Sequence, residues 1–296
     1  MLIHREEQQA LNAFFETLKL KIPFQAGNTN PNKSAKIEQI LAYLEIMHAQ
    51  IRKYSKKRDL IFIESGAGNC YLSFLVYYFY TKLDNRPVRI HCLDINQRLM
   101  EKNRQLAQIL EFDQMWFHAC DIADYTHPEP VDMVYALHAC DAATDKALLL
   151  GLKTNARHIL SVSCCQHTLK KHLKSRPYTG MTRHRVFKEK LAYMVGDSLR
   201  ALLLEMQGYK VDILEFVSSR YTDKNILVRA QKGAAHNRHK LLEEYFRLQQ
   251  AFQIRPSLEQ YLRQENIMPE SAIVHTPDRN VGVEELHANE RAVQSV

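Results

Sequence analysis

Short apolar runs alternate with longer amphipathic segments through the middle of the chain. Runs rich in β-branched and aromatic residues predict strands, whereas apolar residues at three- and four-residue spacing predict helices. A regular alternation of the two is typical of a parallel sheet with right-handed crossover helices. The strands are predicted at 59–64, 88–94, 115–120, 131–137 and 157–163, with helices at 70–83, 97–111 and 142–153 between them.

The segment before this alternation has a helical pattern only. Leu2–Leu20 predicts one helix and Lys36–Tyr54 predicts another, with a polar loop at Gly27–Lys33 between them. Apolar residues of the second helix recur at helical spacing, so one of its faces is expected to pack on the sheet domain. These residues are Ile37, Ile40, Leu41, Leu44 and Met47.

After the fifth strand the pattern changes, and residues 166–190 become basic and irregular. Two later strand-like runs are joined by a short polar segment, which predicts an antiparallel pair at the sheet. A tail without periodicity follows from residue 266. The elements predicted here are a helix at about 187–207, strands at Tyr209–Val217 and Ile226–Gln231, and a charged helix at 236–265 interrupted at Pro256.

These patterns predict the fold class and the domain organisation. The class is α/β, with a largely parallel seven-stranded sheet whose last strand is antiparallel, plus N-terminal helices. Three regions are expected: an N-terminal helical region at 1–58, the sheet domain at 59–235, and a C-terminal helix with a flexible tail at 236–296.

The first strand ends in a glycine turn that predicts a nucleotide site. Residues 59–70 read Asp-Leu-Ile-Phe-Ile-Glu-Ser-Gly-Ala-Gly-Asn-Cys. Glycines let the backbone turn tightly after a parallel strand, and the ligand lies over that turn. The third glycine of a dinucleotide fingerprint would fall at Tyr71, which is too bulky for a pyrophosphate. An adenosine ligand without phosphates, S-adenosylmethionine (SAM), fits better, with Gly66 and Gly68 beneath it and Glu64 placed to answer its positive charge; the alternative is a tight turn without a ligand.

Acids also end the second and third strands. Asp94 is a candidate acceptor for both ribose hydroxyls of an adenosyl ligand, since a carboxylate takes two hydrogen bonds at once. Ile95 is expected to lie against the adenine ring. Asp121 is a candidate partner of the adenine amino group, with Ile122 packed on the base. The alternative for Asp94 is a role in capping the helix that begins near Gln97.

The fourth and fifth strand ends supply candidates for the reaction centre. His138 and Asp141 follow the fourth strand, although Asp141 or Thr144 would also serve as a helix cap. The fifth strand ends in Cys164-Cys165-Gln166-His167. Three interpretations of Cys164 and Cys165 remain open. They are a nucleophilic cysteine, a metal site, and small residues that let the substrate approach. His167 is the candidate proton acceptor, because the usual pKa of histidine lies near working pH.

The positive net charge of the chain favours a polyanionic partner. The chain has 40 Lys and Arg against 33 Asp and Glu, a formal net charge of +7. Many of the cations fall at 170–190, beside the presumed reaction centre, where they would hold phosphates and orient RNA. Tyr178 and Tyr193 are candidates for stacking a base. The alternative is a solvated loop and helix face.

Several classes are disfavoured by the sequence. No apolar run approaches the roughly 20 residues of a membrane helix, and the first residues lack a signal peptide's apolar core. The six cysteines show no paired metal spacing, so free thiols in a reducing cytoplasm and no metal are expected. The oligomeric state is left open.

Three segments carry a resemblance to a known family. Leu137–Asp145 reads Leu-His-Ala-Cys-Asp-Ala-Ala-Thr-Asp and resembles a Lys-His-Leu-Cys-Gly-x-x-Thr-Asp segment, with Asp141 in the place of the glycine. Ser163–His167 resembles a Cys-Cys-His-His run, with Gln166 in place of the first histidine, and Lys224–Arg229 resembles a late strand. The family is that of SAM-dependent methyltransferases, more narrowly the one that includes tRNA ribose 2′-O-methyltransferases acting near the acceptor end.

The resemblance covers about residues 35–231 and implies a Rossmann-like SAM-methyltransferase fold. It implies SAM as the cofactor, and it implies two sets of site residues. The implied cofactor set is Glu64, Gly66, Gly68, Asp94 and Asp121, and the implied reaction centre is His138, Asp141, Cys165 and His167. Ile95, Ile122 and His138 complete the list of candidate cofactor residues.

The resulting hypothesis is a cytoplasmic methyltransferase that acts on RNA, either tRNA or rRNA, with a ribose 2′-hydroxyl as the candidate acceptor. Methyl transfer is an in-line displacement, so the enzyme aligns the nucleophile and removes its proton; His167 or Asp141 would be the base. The alternatives are a methyltransferase of a small molecule or protein, and a catalytically silent RNA-binding module with the same fold.

Overall fold

The computed structural model describes residues 14, 18, 31–139, 141–234 and 236–268. The chain divides into two compact units, Met1–Leu258, which contains the sheet, and Glu259–Val296. The predicted helix at Leu2–Leu20, apart from Phe14 and Leu18, and the predicted tail beyond residue 268 lie outside the described residues. The three-region division made from sequence stays a prediction.

Seven strands form one sheet in the order β3-β2-β1-β4-β5-β7-β6. The first five pair in parallel, and β7 is antiparallel to both β5 and β6. All residues of β1 and β5 are buried, as expected for apolar strands covered on both faces. The predicted fold class is therefore confirmed. The strands are β1 Leu60–Ser65, β2 Val88–Asp94, β3 Met115–Ala119, β4 Met133–Ala139, β5 His158–Ser163, β6 Tyr209–Glu215 and β7 Ile226–Lys232.

The helices follow the predicted order, with one difference at the N-terminal end and with two short helices, at 167–172 and 179–182, in the region predicted to be irregular. The first described helix begins at Pro31, inside the predicted polar loop, because proline is well suited to a first helical turn. The predicted charged helix is broken between Phe252 and Ser257, near the expected Pro256. The helices are α1 Pro31–Ile51, α2 Tyr71–Tyr78 with a π-helical turn at Phe79–Leu83, α3 Gln97–Ile109, α4 Ala142–Lys153, α5 His167–His172, α6 Thr179–Thr182, α7 Arg185–Met206, α8 Arg238–Phe252 and α9 Ser257–Gln264.

Helix α1 packs on the sheet through its apolar face, as predicted. Ile37, Ile40 and Met47 are buried in the same core as β1 and β4. The hydroxyl of Tyr43 lies 3.2 Å from the carbonyl oxygen of Ala136 and 2.9 Å from that of Leu160, which ties α1 across β4 and β5. Burial of this face against the strands is what holds the helix in place.

The sheet order places a crevice between the carboxyl ends of β1 and β4. The strand order reverses there, because β2 and β3 lie on one side of β1 and β4 and β5 on the other. Ligands of open α/β sheets bind at such a switch point. Among the described residues, the helices include none with the length and apolar character required to cross a bilayer.

Candidate active site

The glycine turn after β1 lies at this crevice. Gly66 and Gly68 have φ values of +68° and +54°, which side chains other than glycine rarely adopt. A Cβ on Gly66 would lie 3.7 Å from the Cβ of Ala139, so the turn runs close to the end of β4. A Cβ on Gly68 would meet nothing within 4 Å. The turn therefore leaves open space above Gly68, which suits a bound ligand.

Asp94, at the end of β2, faces the same turn. Its Oδ2 accepts a hydrogen bond from the backbone N–H of Gly68 at 2.9 Å, and its Oδ1 accepts one from that of Asn96 at 2.9 Å. The side chain of Asn96, and not that of Asp94, caps α3 by accepting from the N–H of Leu99. Ile95 is 77 % exposed. A carboxylate with spare lone pairs beside an exposed apolar side chain fits an adenosyl group.

Both carboxylate oxygens of Asp121 already have partners within the protein, which the sequence did not indicate. Its Oδ1 accepts from the N–H of Ala123 at 2.9 Å, and its Oδ2 forms an ion pair with Lys146 of α4. The hydrogen bond from Lys146 holds the pKa of Asp121 below its usual value. Ile122 is buried. Both residues lie where β3 ends, and their contact with adenine stays a prediction.

Glu64 is a buried carboxyl group rather than a crevice residue open to solvent. It is 4 % exposed and accepts a hydrogen bond from the hydroxyl of Ser73, which also contacts the hydroxyl of Tyr135. Burial raises its pKa to about 8, so the Glu64 carboxyl group is protonated and neutral in most molecules at pH 7. Its oxygen and the Sγ atoms of Cys70 and Cys92 lie within 4.8 Å of one another, a cluster that sequence spacing did not reveal. The role of Glu64 towards SAM stays a prediction.

Asp141 joins the ends of β4 and β5. Its carboxylate accepts from the Thr168 N–H at 3.1 Å and from the Thr168 hydroxyl at 2.6 Å, and its own N–H donates to the carbonyl of Cys165 at 3.2 Å. Its backbone has φ 52° and ψ −115°, a strained conformation for a residue with a Cβ. The side chain of Asp141 makes no capping bond to α4; instead, the Thr144 hydroxyl donates to the carbonyl of Ala139.

His167 opens α5 directly after this junction, and its side chain is exposed. Cys164 and Cys165 are half-buried, with their Sγ atoms 3.8 Å apart. The structure therefore brings Asp141, Cys165 and His167 together. His138 belongs to β4, but its side chain lies outside the described part of the chain, so its two predicted roles stay predictions.

A buried ionic network beneath this junction was missed from sequence. Arg200 of α7 is 1 % exposed; its Nε lies 2.7 Å from Asp145 Oδ1 and a terminal nitrogen lies 3.0 Å from Asp197 Oδ1. The same Asp197 oxygen accepts from the Ser163 hydroxyl at 2.9 Å and from the Gln166 amide at 3.3 Å. The network thus fixes the two residues that flank the cysteine pair. Charged residues three apart on the apolar face of α7 were its only sequence signal.

Cations gather just beyond α5. A pocket of about 460 Å³ opens between the connection after α5, the short α6 and the start of α7, and none of its lining residues is acidic. Within the described ranges, none of its four cations has a carboxylate at ion-pair distance. They are Lys174, Arg176, Arg183 and Lys188.

The two tyrosines expected to stack bases differ in their surroundings. Tyr178 is 46 % exposed, and its ring stacks on that of Phe252 with centroids 5.5 Å apart. Tyr193 donates its hydroxyl to the carbonyl of Cys164 at 2.8 Å, and Lys224 Nζ lies 4.2 Å from its ring centroid. Tyr193 is therefore occupied within the protein, whereas Tyr178 presents an open ring.

Comparisons with known proteins agree with this geometry. Residues 35–172 match the family described as "Methyltransferase domain". No curated protein matches the sequence. The matched range 35–172 contains the glycine turn and the first five strands, and the match supports methyltransferase activity with SAM as the cofactor.

Similar solved structures are remote. The CMeT domain of the citrinin polyketide synthase is 13% identical, with a TM-score of 0.45, over 66% of this chain and 52% of that one. A SAM-dependent methyltransferase from Aquifex aeolicus is 12% identical, with a TM-score of 0.39, over 69% and 97%. Magnesium protoporphyrin IX methyltransferase from Synechocystis PCC 6803 with bound SAM is 12% identical, with a TM-score of 0.43, over 77% and 97%. Nothing about the substrate follows from likenesses this distant.

Proposed function

We propose that RNA is the substrate of this protein, a SAM-dependent methyltransferase, and that the cofactor lies over the Gly66–Gly68 turn. The observation that carries the proposal is the cluster of four cations beside the reaction centre, none of which has a carboxylate at ion-pair distance in the part of the chain that the structure describes. Helix α5 leads from His167 to the cation-lined pocket in six residues, which is about 9 Å of helix. Clustered cations that neutralise phosphates are the main source of affinity for nucleic acid.

The proposed acceptor is a ribose 2′-hydroxyl of tRNA or rRNA in the cytoplasm. SAM supplies an electrophilic methyl group. Asp94 and the glycine turn hold the adenosyl part, while exposed His167 takes the proton from the attacking hydroxyl. Asp141 acts as a positioning residue, because within the described residues its carboxylate accepts from the N–H and the hydroxyl of Thr168, the residue after His167.

Labelled SAM tests the substrate class directly. The protein is incubated with labelled SAM and with total RNA from cells lacking the gene, and the RNA is digested to nucleosides. We expect label in a 2′-O-methylated nucleoside. Label in another nucleoside would keep RNA and overturn the ribose assignment, whereas label confined to protein or small molecules would overturn the RNA proposal.

Replacement of His167 tests the assigned base. His167→Ala should lower kcat roughly 100- to 10,000-fold, the range of a lost general base, while SAM affinity by calorimetry stays within about twofold. His172→Ala is the matched control, since His172 is an exposed histidine at the other end of α5. Equal losses of turnover and SAM affinity in His167→Ala would contradict a proton-transfer role.

A further inference from the structure

We propose that the cation-lined pocket is a nucleotide subsite, in which the pocket holds a phosphate of an unpaired RNA segment and Tyr178 stacks on a base of that segment. The inference rests on the proposed RNA substrate and adds a second point of contact, apart from the reaction centre. In this arrangement the bound RNA extends along α5, from His167 at the reaction centre to the cation-lined pocket.

The charges of the pocket come from three successive segments. Lys174 and Arg176 lie after α5, Arg183 directly follows α6, and Lys188 lies in the first turn of α7. Bringing four like charges to one concave surface is unfavourable unless an anion joins them. Lys170, one turn earlier, differs from these four cations because it forms an ion pair with Glu189 at 2.7 Å. A lysine outside the pocket is thus neutralised by a carboxylate of the chain itself.

Hydrogen-bond donors complete the anion site. The pocket is also lined by the hydroxyl-bearing residue Thr182, whereas the neighbouring Thr179 donates its hydroxyl to the carbonyl oxygens of Ser175 at 3.1 Å and Arg176 at 2.9 Å. Arg183 donates through Nε to His184 at 3.1 Å, and a guanidinium has further N–H groups for an oxyanion. Such a mixture of planar cations, ammonium groups and a hydroxyl is suited to a phosphate oxygen rather than to an apolar ligand.

The aromatic platform beside the pocket is held in place from two sides. Phe252 of α8 lies parallel to Tyr178, with an interplanar angle of 16°. The N–H of Tyr178 donates to the Ser175 hydroxyl, and the N–H of Lys174 donates to the carbonyl of Phe252 at 3.0 Å. A fixed, half-exposed ring next to an anion site is the arrangement that binds single-stranded nucleic acid by stacking.

An unpaired nucleotide accounts for both features together. An acidic peptide would match the charge but leave the ring of Tyr178 unused. In an RNA duplex the bases are stacked inside the helix and cannot reach the tyrosine. A pocket of about 460 Å³ also lies within the usual range for small-ligand sites, roughly 300–1,000 Å³.

The test measures binding of a labelled single-stranded RNA oligonucleotide to the full chain, as a function of salt. Tyr178→Leu should weaken binding about tenfold, within the range of a lost base stack, and Tyr178→Phe should keep it. The double variant Arg176→Gln/Arg183→Gln should lower the slope of log K against log salt by about 1.4, two charges at about 0.7 each. Arg98→Gln/Lys102→Gln, on exposed positions of α3, is the matched control and should bind like wild type.

The outcomes separate this subsite from the proposed function. If wild type methylates RNA but every pocket variant binds it as wild type does, the subsite is wrong and the RNA substrate stands. If wild type neither binds nor methylates RNA, the RNA proposal falls and takes the subsite with it. Equal weakening by Tyr178→Leu and Tyr178→Phe would overturn stacking. Competition by polyglutamate or duplex RNA as strong as by the single strand would overturn the nucleotide assignment. Melting curves confirm that each variant is folded.

Discussion

Replacement of Arg200 by methionine should destabilise the protein strongly, because it leaves two buried acids without their cation. Arg200, Asp145 and Asp197 are each at most 3 % exposed, and the arginine contacts both carboxylates. Methionine keeps much of the side-chain length but supplies neither charge nor donors. Removing one partner of a buried ion pair costs about 3–5 kcal/mol. We expect the free energy of unfolding to fall by that amount at pH 7.

Urea unfolding with a surface control measures this loss. Arg229→Met breaks the ion pair with Asp212 at 2.9 Å, whose side chains are 31 % and 41 % exposed. An exposed pair contributes about 0–1 kcal/mol, so the control should unfold almost as wild type does. Because Asp197 also holds Ser163 and Gln166, Arg200→Met should in addition lower kcat more than it lowers SAM affinity.

The pH dependence of the deficit gives a second, independent check. Burial raises the pKa of Asp197 even with Arg200 present, and loss of the cation raises it further. The folded variant then binds protons at a pH where the unfolded chain, with an ordinary pKa near about 3.9, does not. The deficit should therefore shrink as pH falls from 7 towards 4. A deficit below about 1 kcal/mol at pH 7, or one that grows on acidification, would refute the reasoning.

Two further predictions concern single groups. Burial raises the pKa of Glu64 from 4.5 to about 8, so between these two pH values the folded state binds a proton that the unfolded state has lost. The unfolding free energy of the wild type should therefore fall as pH rises through that window. Glu64→Gln should flatten this trend in urea midpoints, and an unchanged slope would contradict the prediction. The unfolding free energy of Asp141→Gly should exceed that of Asp141→Ala by about 1–3 kcal/mol, because both variants lose the carboxylate but only glycine fits φ 52° and ψ −115° without strain. Equal urea midpoints of the two variants would contradict the strain at this residue.

The sheet could be predicted from sequence because its strands are continuous apolar runs bounded by acids and glycines. The run before Gly66 and the run before Asp94 became β1 and β2 almost to the residue. Alternation with amphipathic helices then fixed the parallel connections. The predicted antiparallel pair also formed, with β7 inserted between β5 and β6.

The polar contacts could not be predicted in the same way, because they join residues far apart in the chain. Asp145 and Arg200 are 55 positions apart, and neither carries a local pattern that selects its partner. The role of Glu64 towards a cationic ligand stays a prediction, but its enclosure, which raises its pKa to about 8, could not be read from the sequence. Burial of this kind depends on how α2 and β4 pack around the residue.

The central claim, that SAM binds over the glycine turn, is tested most directly by calorimetric titration of SAM into wild type, Gly68→Val and the control Gly180→Ala. A Cβ on Gly180 meets no atom within 4 Å, and the same is true of Gly68, but only Gly68 borders the crevice and has positive φ. We predict one site per chain in wild type and in Gly180→Ala, and at least tenfold weaker binding in Gly68→Val with its circular dichroism unchanged. Equal affinity in all three proteins would place the cofactor elsewhere.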